Sequence, residues 1–311
     1  MNEYLPEGAR LRTRKNYEYT RSREGLAAAL ADGAIVEGIA TLCDHKMTLH
    51  VDFGRGLTGI IERDEALLPE EGADIKDIAI LTRVGKPLAF KVLGFRETAE
   101  GEAAVLSRRA AQRECRDYYI STLRAGDIIP ARITHLENFG AFVDIGCGIT
   151  SLLSIDTISV SRIAHPSARV SEGDTVYTVV RSIDERGRIY VSERELLGSW
   201  EENAALFSEG ETVRGIIRSI ESYGVFVELT PNLAGLAEYR DDVEVGQTAA
   251  VYIKSIIPEK MKIKLIIIDT GDAPTEPTPL EYFIDTESVT HINSWQYSPR
   301  SSKKIVETVF E

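Results

Sequence analysis

Phe139-Gly140-Ala141-Phe142-Val143-Asp144-Ile145 returns as Tyr223-Gly224-Val225-Phe226-Val227-Glu228-Leu229. Aromatic, glycine, small, phenylalanine, valine, acid and aliphatic recur in the same order at an offset of 223 − 139 = 84. Upstream, Gly126-Asp127-Ile128-Ile129 and Gly210-Glu211-Thr212-Val213 open the two copies at the same offset, and Gly33-Ala34-Ile35-Val36 opens an earlier one. Downstream, Gly173-Asp174-Thr175-Val176 and Gly246-Gln247-Thr248-Ala249 each begin an alternating run. The turn Asp184-Glu185-Arg186-Gly187 then leads into a short strand over 188–192, and Pro258-Glu259-Lys260 takes that place in the last copy. The first copy is degenerate: from Met47 it reads M-T-L-H-V-D-F-G, with Val51 and Asp52 kept but no aromatic before them. Period-two alternation and β-branched content make these segments strands. About five strands in ~60–80 residues suit a small closed barrel of the OB type. The sequence between strands is too short to supply a second layer of helices.

The expected fold is therefore mainly β: three tandem five-stranded OB-fold barrels joined by short helices, with a C-terminal β-hairpin. The expected division is a basic N-terminal tail with a short helix (1–32), a degenerate barrel (33–112), a helical linker (113–125), a second barrel (126–198), a helical linker (199–209), a third barrel (210–270), and a linker with terminal hairpin (271–311). Helical spacing predicts helices over Ser22–Ala31, Ser107–Leu123 and Ser192–Phe207, the last opened by a capping box of Ser192 and Glu195. Pro274, Pro277 and Pro279 predict an extended linker. Beyond it, Ser288–Tyr297 and Lys303–Phe310 read as the two strands of the hairpin, which must pack on something larger to persist.

Composition excludes several classes. The chain has 311 residues, 43% hydrophobic and 27% charged, as a globular protein does. The longest aliphatic run, Leu265–Ile268, is far short of a membrane span, and the N-terminus lacks a secretion pattern, so the cytoplasm is the expected compartment. Cys43, Cys115 and Cys147 are too few and too scattered for a disulfide framework, and Cys43 with His45 lacks a second ligand pair for zinc. No metal or cofactor is expected. The net charge of −13 argues against coating nucleic acid by bulk electrostatics, but leaves room for stacking on a local face.

The stretch from Phe139, together with Gly126–Ile133 and Arg188–Arg194, resembles the S-one domain, an OB-fold RNA-binding repeat named for the largest protein of the bacterial small ribosomal subunit. The third copy resembles it nearly as well and the first weakly. With Glu193–Asn203 between copies two and three, the arrangement is similar to short clostridial-type members of that family. The resemblance implies a binding face with two aromatics, a histidine shortly after, and a basic residue ending the last strand. The aromatics are then Phe139 and Phe142 in copy two and Tyr223 and Phe226 in copy three, and the basic residue is Arg194. The histidine is absent: its positions hold Ser154, Glu238 and Glu62, and the two carboxylates repel a phosphate.

The chemistry of such a face follows from its residue types. Aromatics stack on bases for about 1–3 kcal/mol each without demanding a sequence. Phe139 and Phe142 are three apart, so strict alternation puts them on opposite faces unless a bulge or kink at Gly140 intervenes. Arg132 and Arg214, read as equivalent positions of the first strand, are phosphate contacts, with Arg181 and Arg188 further candidates. His135 shares the strand of Arg132 and reads as structural. Arg10, Arg12, Arg14, Lys15, Arg21 and Arg23, with Tyr17 and Tyr19, make a basic stretch suited either to gripping RNA or the ribosome or to being a solvated tail.

No catalytic signature appears, and the segments 1–32 and 271–311 are too short for a catalytic domain, so an enzyme is not expected. The expected function is translation-associated binding of single-stranded RNA or mRNA, with the small ribosomal subunit as partner and no membrane. The alternative is a protein-interaction adaptor on the ribosome or RNA polymerase with weak or lost RNA affinity.

Overall fold

The computed structural model describes residues 4–69, 74–99, 101–277 and 280–310. Two compact units divide the chain: 1–123 with 144–150, and 124–143 with 151–311. Three closed barrels of one topology carry the fold.

The first unit opens with α1 (Arg14–Thr20) and α2 (Arg23–Asp32). The hydroxyls of Thr13 and Ser22 accept the backbone N–H of Asn16 and Gly25, which satisfies donors that a helix start leaves open. The N-terminal basic stretch is thus a helical pair at 14–32, longer than the single helix expected. The barrel consists of β1 (Ile35–Cys43), β2 (Leu49–Gly54), β3 (Leu57–Ile61), β4 (Pro87–Thr98) and β5 (Gly101–Ser107), with α3 (Asp77–Leu81) before β4. Its inward residues include Val36, Leu49, Val51, Ile61, Leu88, Phe90 and Leu106, packed with Leu26 of α2. Helix α4 (Arg108–Tyr118) follows, shorter than the expected 107–123 because a 3-10 turn at Ile120–Thr122 ends it.

A buried charge cluster closes this unit. Arg108, fully buried, donates Nε and Nη2 to the Glu7 carboxylate at 2.6 and 3.0 Å. Glu7 Oε1 also accepts the Ala89 N–H, and the Glu7 N–H donates to Asp144 at 2.6 Å. Burial and the Glu7 charge push Asp144 up to about 7. Arg108 is thereby locked as a cation, because its desolvation is offset by a bidentate partner.

The second barrel consists of β6 (Ile128–Glu137), β7 (Gly140–Asp144), β8 (Thr150–Ser154), β9 (Thr175–Ile183) and β10 (Ile189–Ser192), with α5 (Ile155–Ile158) after β8. A 3-10 turn at Arg194–Leu196 and α6 (Trp200–Ala204) connect to the third. The expected capping box is displaced. Ser192 ends β10 and its hydroxyl bonds the Glu195 carboxylate, whereas the box that caps a helix is Ser199 with Glu202. Both stretches read S-x-x-E; the first leads into the 3-10 turn and the second into α6. The third barrel consists of β11 (Thr212–Glu221), β12 (Gly224–Thr230), β13 (Leu233–Ala237), β14 (Thr248–Ile257) and β15 (Lys262–Gly271). The expected turn Pro258–Lys260 is a 3-10 turn between its last two strands.

Closure comes from the parallel pairs β3–β5, β8–β10 and β13–β15. They join each third strand to its last strand and remove sheet edges. In β15 the run Lys262-Ile263-Lys264-Leu265-Ile266-Ile267-Ile268 alternates outside and inside, so the longest aliphatic run is half core and half surface.

The C-terminal hairpin is present but shorter than expected: β16 (Ser294–Gln296) and β17 (Glu307–Val309). Its approach runs as a strap across the second unit. Ile128 N–H donates to Thr290 O, Ile292 N–H to Gly126 O, Phe283 N–H to Leu196 O and Trp200 N–H to Tyr297 O, all at 2.9 Å. Of the proline linker, Pro274 and Pro277 carry no regular structure, while Pro279 lies outside the described residues.

Candidate nucleic-acid interface

Phe139 sits in the turn before β7, and Tyr223 in the equivalent turn before β12. Alternation therefore does not govern them. Each turns outward, 53% and 66% exposed, while the half-buried Phe142 and Phe226 face the same way from within the strand. The rings of Phe139 and Phe142 meet edge to face at 6.0 Å and 89°, and those of Tyr223 and Phe226 at 6.1 Å and 90°. An edge-to-face pair leaves one ring face open, which is the geometry a stacked base needs. The intervening glycine is required by close approach. A Cβ on Gly140 would lie 2.4 Å from Leu153 O, and one on Gly224 would lie 2.4 Å from Ala237 O. At Gly224, the equivalent of Gly140, the strand register is unbroken, and the β11–β12 pairing slips instead between Ile217 and Ser219 of β11.

Strand register extends the face sideways. In the third barrel Ser219 pairs with Phe226, Phe226 with Leu236, Leu236 with Lys264, and Lys264 with Ser255. Lys264 is exposed and lies two strands from the aromatic pair on the same outer surface. The matching row of the second barrel carries Leu152 and Tyr190, which pair across β8–β10. Sequence reading named neither Lys264 nor Tyr190. The signal was available: in Arg188-Ile189-Tyr190-Val191 and Lys262-Ile263-Lys264-Leu265 the buried aliphatics fix Tyr190 and Lys264 as outward.

The arginines divide. Arg194 stands at the edge of this face beside Ser154, half-buried, with Nε on Glu195 at 3.2 Å and its guanidinium 6.0 Å from the Trp295 ring. Arg132 is half-buried on β6 and Arg214 exposed on β11, and neither makes an ion pair among the described residues. Their expected equivalence is wrong. Arg132 pairs with Thr175 and Arg214 with Ala250, whereas Pro130 pairs with Tyr177, so the constant offset of 84 aligns Arg214 with Pro130. The two positions share an outer face but lie one pleat apart. Arg181 is exposed, and Arg188 is tied to Asp184 at 2.8 Å. His135 is exposed between two carboxylates, and hydrogen bonding to Glu172 and then Glu137 pushes it up.

The first barrel differs at these positions. Its equivalent row holds His50 and Ile60, then Val105. Glu62, at the histidine position, is neutralised by Arg96 at 2.8 Å. In the basic N-terminal stretch Arg14 pairs with Glu18, and Arg23 pairs with Glu102 while stacking 4.3 Å from the Phe95 ring. Among the described residues there is no cluster of metal-ligating side chains, and no helix is long and apolar enough to cross a membrane.

Comparison with known proteins agrees with this geometry. The S1 RNA binding domain family matches residues 122–194, the second barrel with its flanks. The chain is 30% identical to the small ribosomal subunit protein bS1 of Staphylococcus saprophyticus over 60% of this chain and 50% of that protein. It is 28% identical to bS1 of Staphylococcus haemolyticus over 88% of this chain and 72% of that protein. To bS1 of Pseudomonas aeruginosa it is 28% identical over 81% of this chain and 46% of the relative, so the chain spans about half the length of two of these three relatives. Among solved structures, a multidomain protein with nucleic acid binding domains from Streptococcus pneumoniae covers 78% of this chain at 16% identity, with a TM-score of 0.25. Three closed barrels of one topology, the S1 RNA binding domain matched in the middle one and the bS1 relatives at 28–30% identity make the chain similar to the bacterial small-subunit ribosomal protein S-one.

Proposed function

We propose that the chain is a non-catalytic protein that binds single-stranded RNA, mRNA included, on the outer faces of its second and third barrels and acts in translation at the small ribosomal subunit. The observation that carries this reading is the repeated edge-to-face aromatic pair. Phe139 with Phe142 and Tyr223 with Phe226 present the same open rings in the same place, whereas the edge-to-face pair of the first barrel, Phe53 with the fully buried Phe90, belongs to its core. Bases stack on these rings, while Lys264, Arg194, Arg132 and Arg214 contact phosphates. Glu238, exposed at the histidine position of the third barrel, directs the backbone away from that corner. The first barrel and the basic helical pair serve docking to the ribosome, in the cytoplasm.

Fluorescence anisotropy with a labelled, unstructured RNA of about a dozen nucleotides tests this, since an OB-fold occupies ~4–16 nucleotides. The intact chain binds, and binding weakens as salt rises. Phe139→Ala/Tyr223→Ala lowers affinity by about 2–6 kcal/mol if one base is lost at each face. Binding indifferent to the double substitution would refute the stacking face and favour the adaptor reading.

A further inference from the structure

Strand β17 lies against the outer face of the second barrel and leaves a cavity of about 610 Å³ between them. This volume falls in the range of about 300–1,000 Å³ typical of small-molecule sites. The barrel side contributes Leu152, Tyr190, Arg181 and Arg194, and the hairpin contributes Glu307 and Thr308. We propose that this cavity is a subsite for a single nucleobase, roofed by the C-terminal hairpin, in which Glu307 selects guanine.

The inference rests on the RNA-binding reading and adds a base preference to it. Leu152 and Tyr190 are register partners and form an apolar floor to the cavity. Arg181 and Arg194 border that floor and suit the phosphates on either side of a stacked base. The roof is held in place rather than hanging free. Thr308 Oγ1 donates to Glu195 Oε1 at 3.1 Å, Arg194 Nη2 donates to Thr308 Oγ1 at 3.5 Å, and the buried Trp295 pairs with Thr308 across the hairpin. Phe310 packs into a cluster with Val179 and Leu196.

Glu307 is the informative residue. It is exposed, it lines the cavity, and its carboxylate has no hydrogen bond or ion pair among the described residues. A carboxylate on an RNA-binding surface repels phosphate, so its use lies with a partner rich in donors. An ionised carboxylate only accepts. Guanine offers N1–H and N2–H side by side, matching the two carboxylate oxygens. Adenine and cytosine set one amino group beside an acceptor nitrogen, and uracil sets one N–H between two carbonyls. Single-stranded RNA is read on these Watson–Crick edges. A base that offers the carboxylate only one donor leaves its other oxygen to water and gains one bond fewer, so guanine ranks first.

The test uses the full chain and oligouridines of about a dozen nucleotides. One is unmodified, and the others carry a single central guanine, adenine or cytosine. By anisotropy, the guanine oligomer is expected to bind five- to tenfold tighter than oligouridine, with the other two within twofold of it. Glu307→Gln is expected to bring the guanine preference within twofold while leaving affinity for oligouridine equal or higher. Tyr190→Ala is expected to weaken all four. A wild-type chain that binds oligouridine with no guanine preference, or a preference retained by Glu307→Gln, overturns the proposal. Failure of the wild type to bind any of the four overturns the RNA-binding reading itself, which is a different result.

Discussion

Gly224 fixes where Tyr223 points. The backbone passes so close to Ala237 O that no side chain fits, and the turn must therefore carry its aromatic outward. Lys264 completes the same surface two strands away. In the proposed interface the aromatics supply stacking that is insensitive to salt, and the lysine supplies the part that is not. Each phosphate neutralised on single-stranded nucleic acid contributes about −0.7 to the slope of log affinity against log salt. Lys264→Ala should therefore reduce the magnitude of that slope by about 0.7 and weaken binding at low salt. Lys86→Ala, exposed just before β4 of the first barrel, should leave the slope unchanged. A slope unaltered by Lys264→Ala would remove Lys264 from the interface.

The elements differ in how far the sequence discloses them. Strands such as β12 and β15 bury alternate residues, so Val225 and Val227, or Ile263 and Leu265, announce both the strand and its inward face. The aromatic pairs were legible for the same reason, since their motif repeats at a constant offset. The strap was not. Its anchors are isolated residues whose partners lie far away in sequence: Tyr282 donates to Glu193 at 2.9 Å, and Tyr297 to Asn232 O at 2.7 Å. No local period marks such contacts, and the roof over Tyr190 was invisible with them. The Glu193 anchor also has a pH signature. Burial pushes this carboxyl up to about 8, against the pull of the Tyr282 hydrogen bond and of Arg169. The fold keeps a proton that the unfolded chain releases near its ordinary 4.5. Stability from this group is fully present below that value and is lost as pH rises towards about 8. Glu193→Gln, neutral at every pH, should remove that contribution. Urea midpoints at pH 5 and pH 8.5 would show it: the decline in the variant should be smaller than in the wild type by on the order of a few kcal/mol at most. Equal declines would mean that Glu193 is ionised in the fold.

At the scale of the second unit, the two aromatic pairs proposed as stacking faces share one frame. Arg169 forms a buried ion pair with Glu228 of β12, whose carboxylate also takes a bidentate pair from Arg218 at 2.9 Å. Val160 N–H donates to Asn232 Oδ1, and Asn232 Nδ2 donates to Arg194 O at 2.8 Å. The strap then bonds to the second barrel at Gly126 and Ile128 and to the third at Asn232. A frame with so many buried polar contacts holds the two faces in one geometry, so an RNA engaged on one meets the other at a fixed effective concentration. Linkage of this kind raises affinity by about 10²–10⁴ over either site alone, without any new contact. RNA length should expose it. An oligomer of about six nucleotides fits one barrel, while one of about 24 exceeds the ~4–16 of a single OB-fold. Wild-type affinity should rise by about 10² or more between these lengths. Phe139→Ala should weaken the short oligomer modestly, because Tyr223 and Phe226 still hold it, and should abolish most of the gain with length. A gain with length that survives Phe139→Ala would mean that the two faces bind independently, and that the shared frame serves the stability of the barrels rather than the path of the RNA.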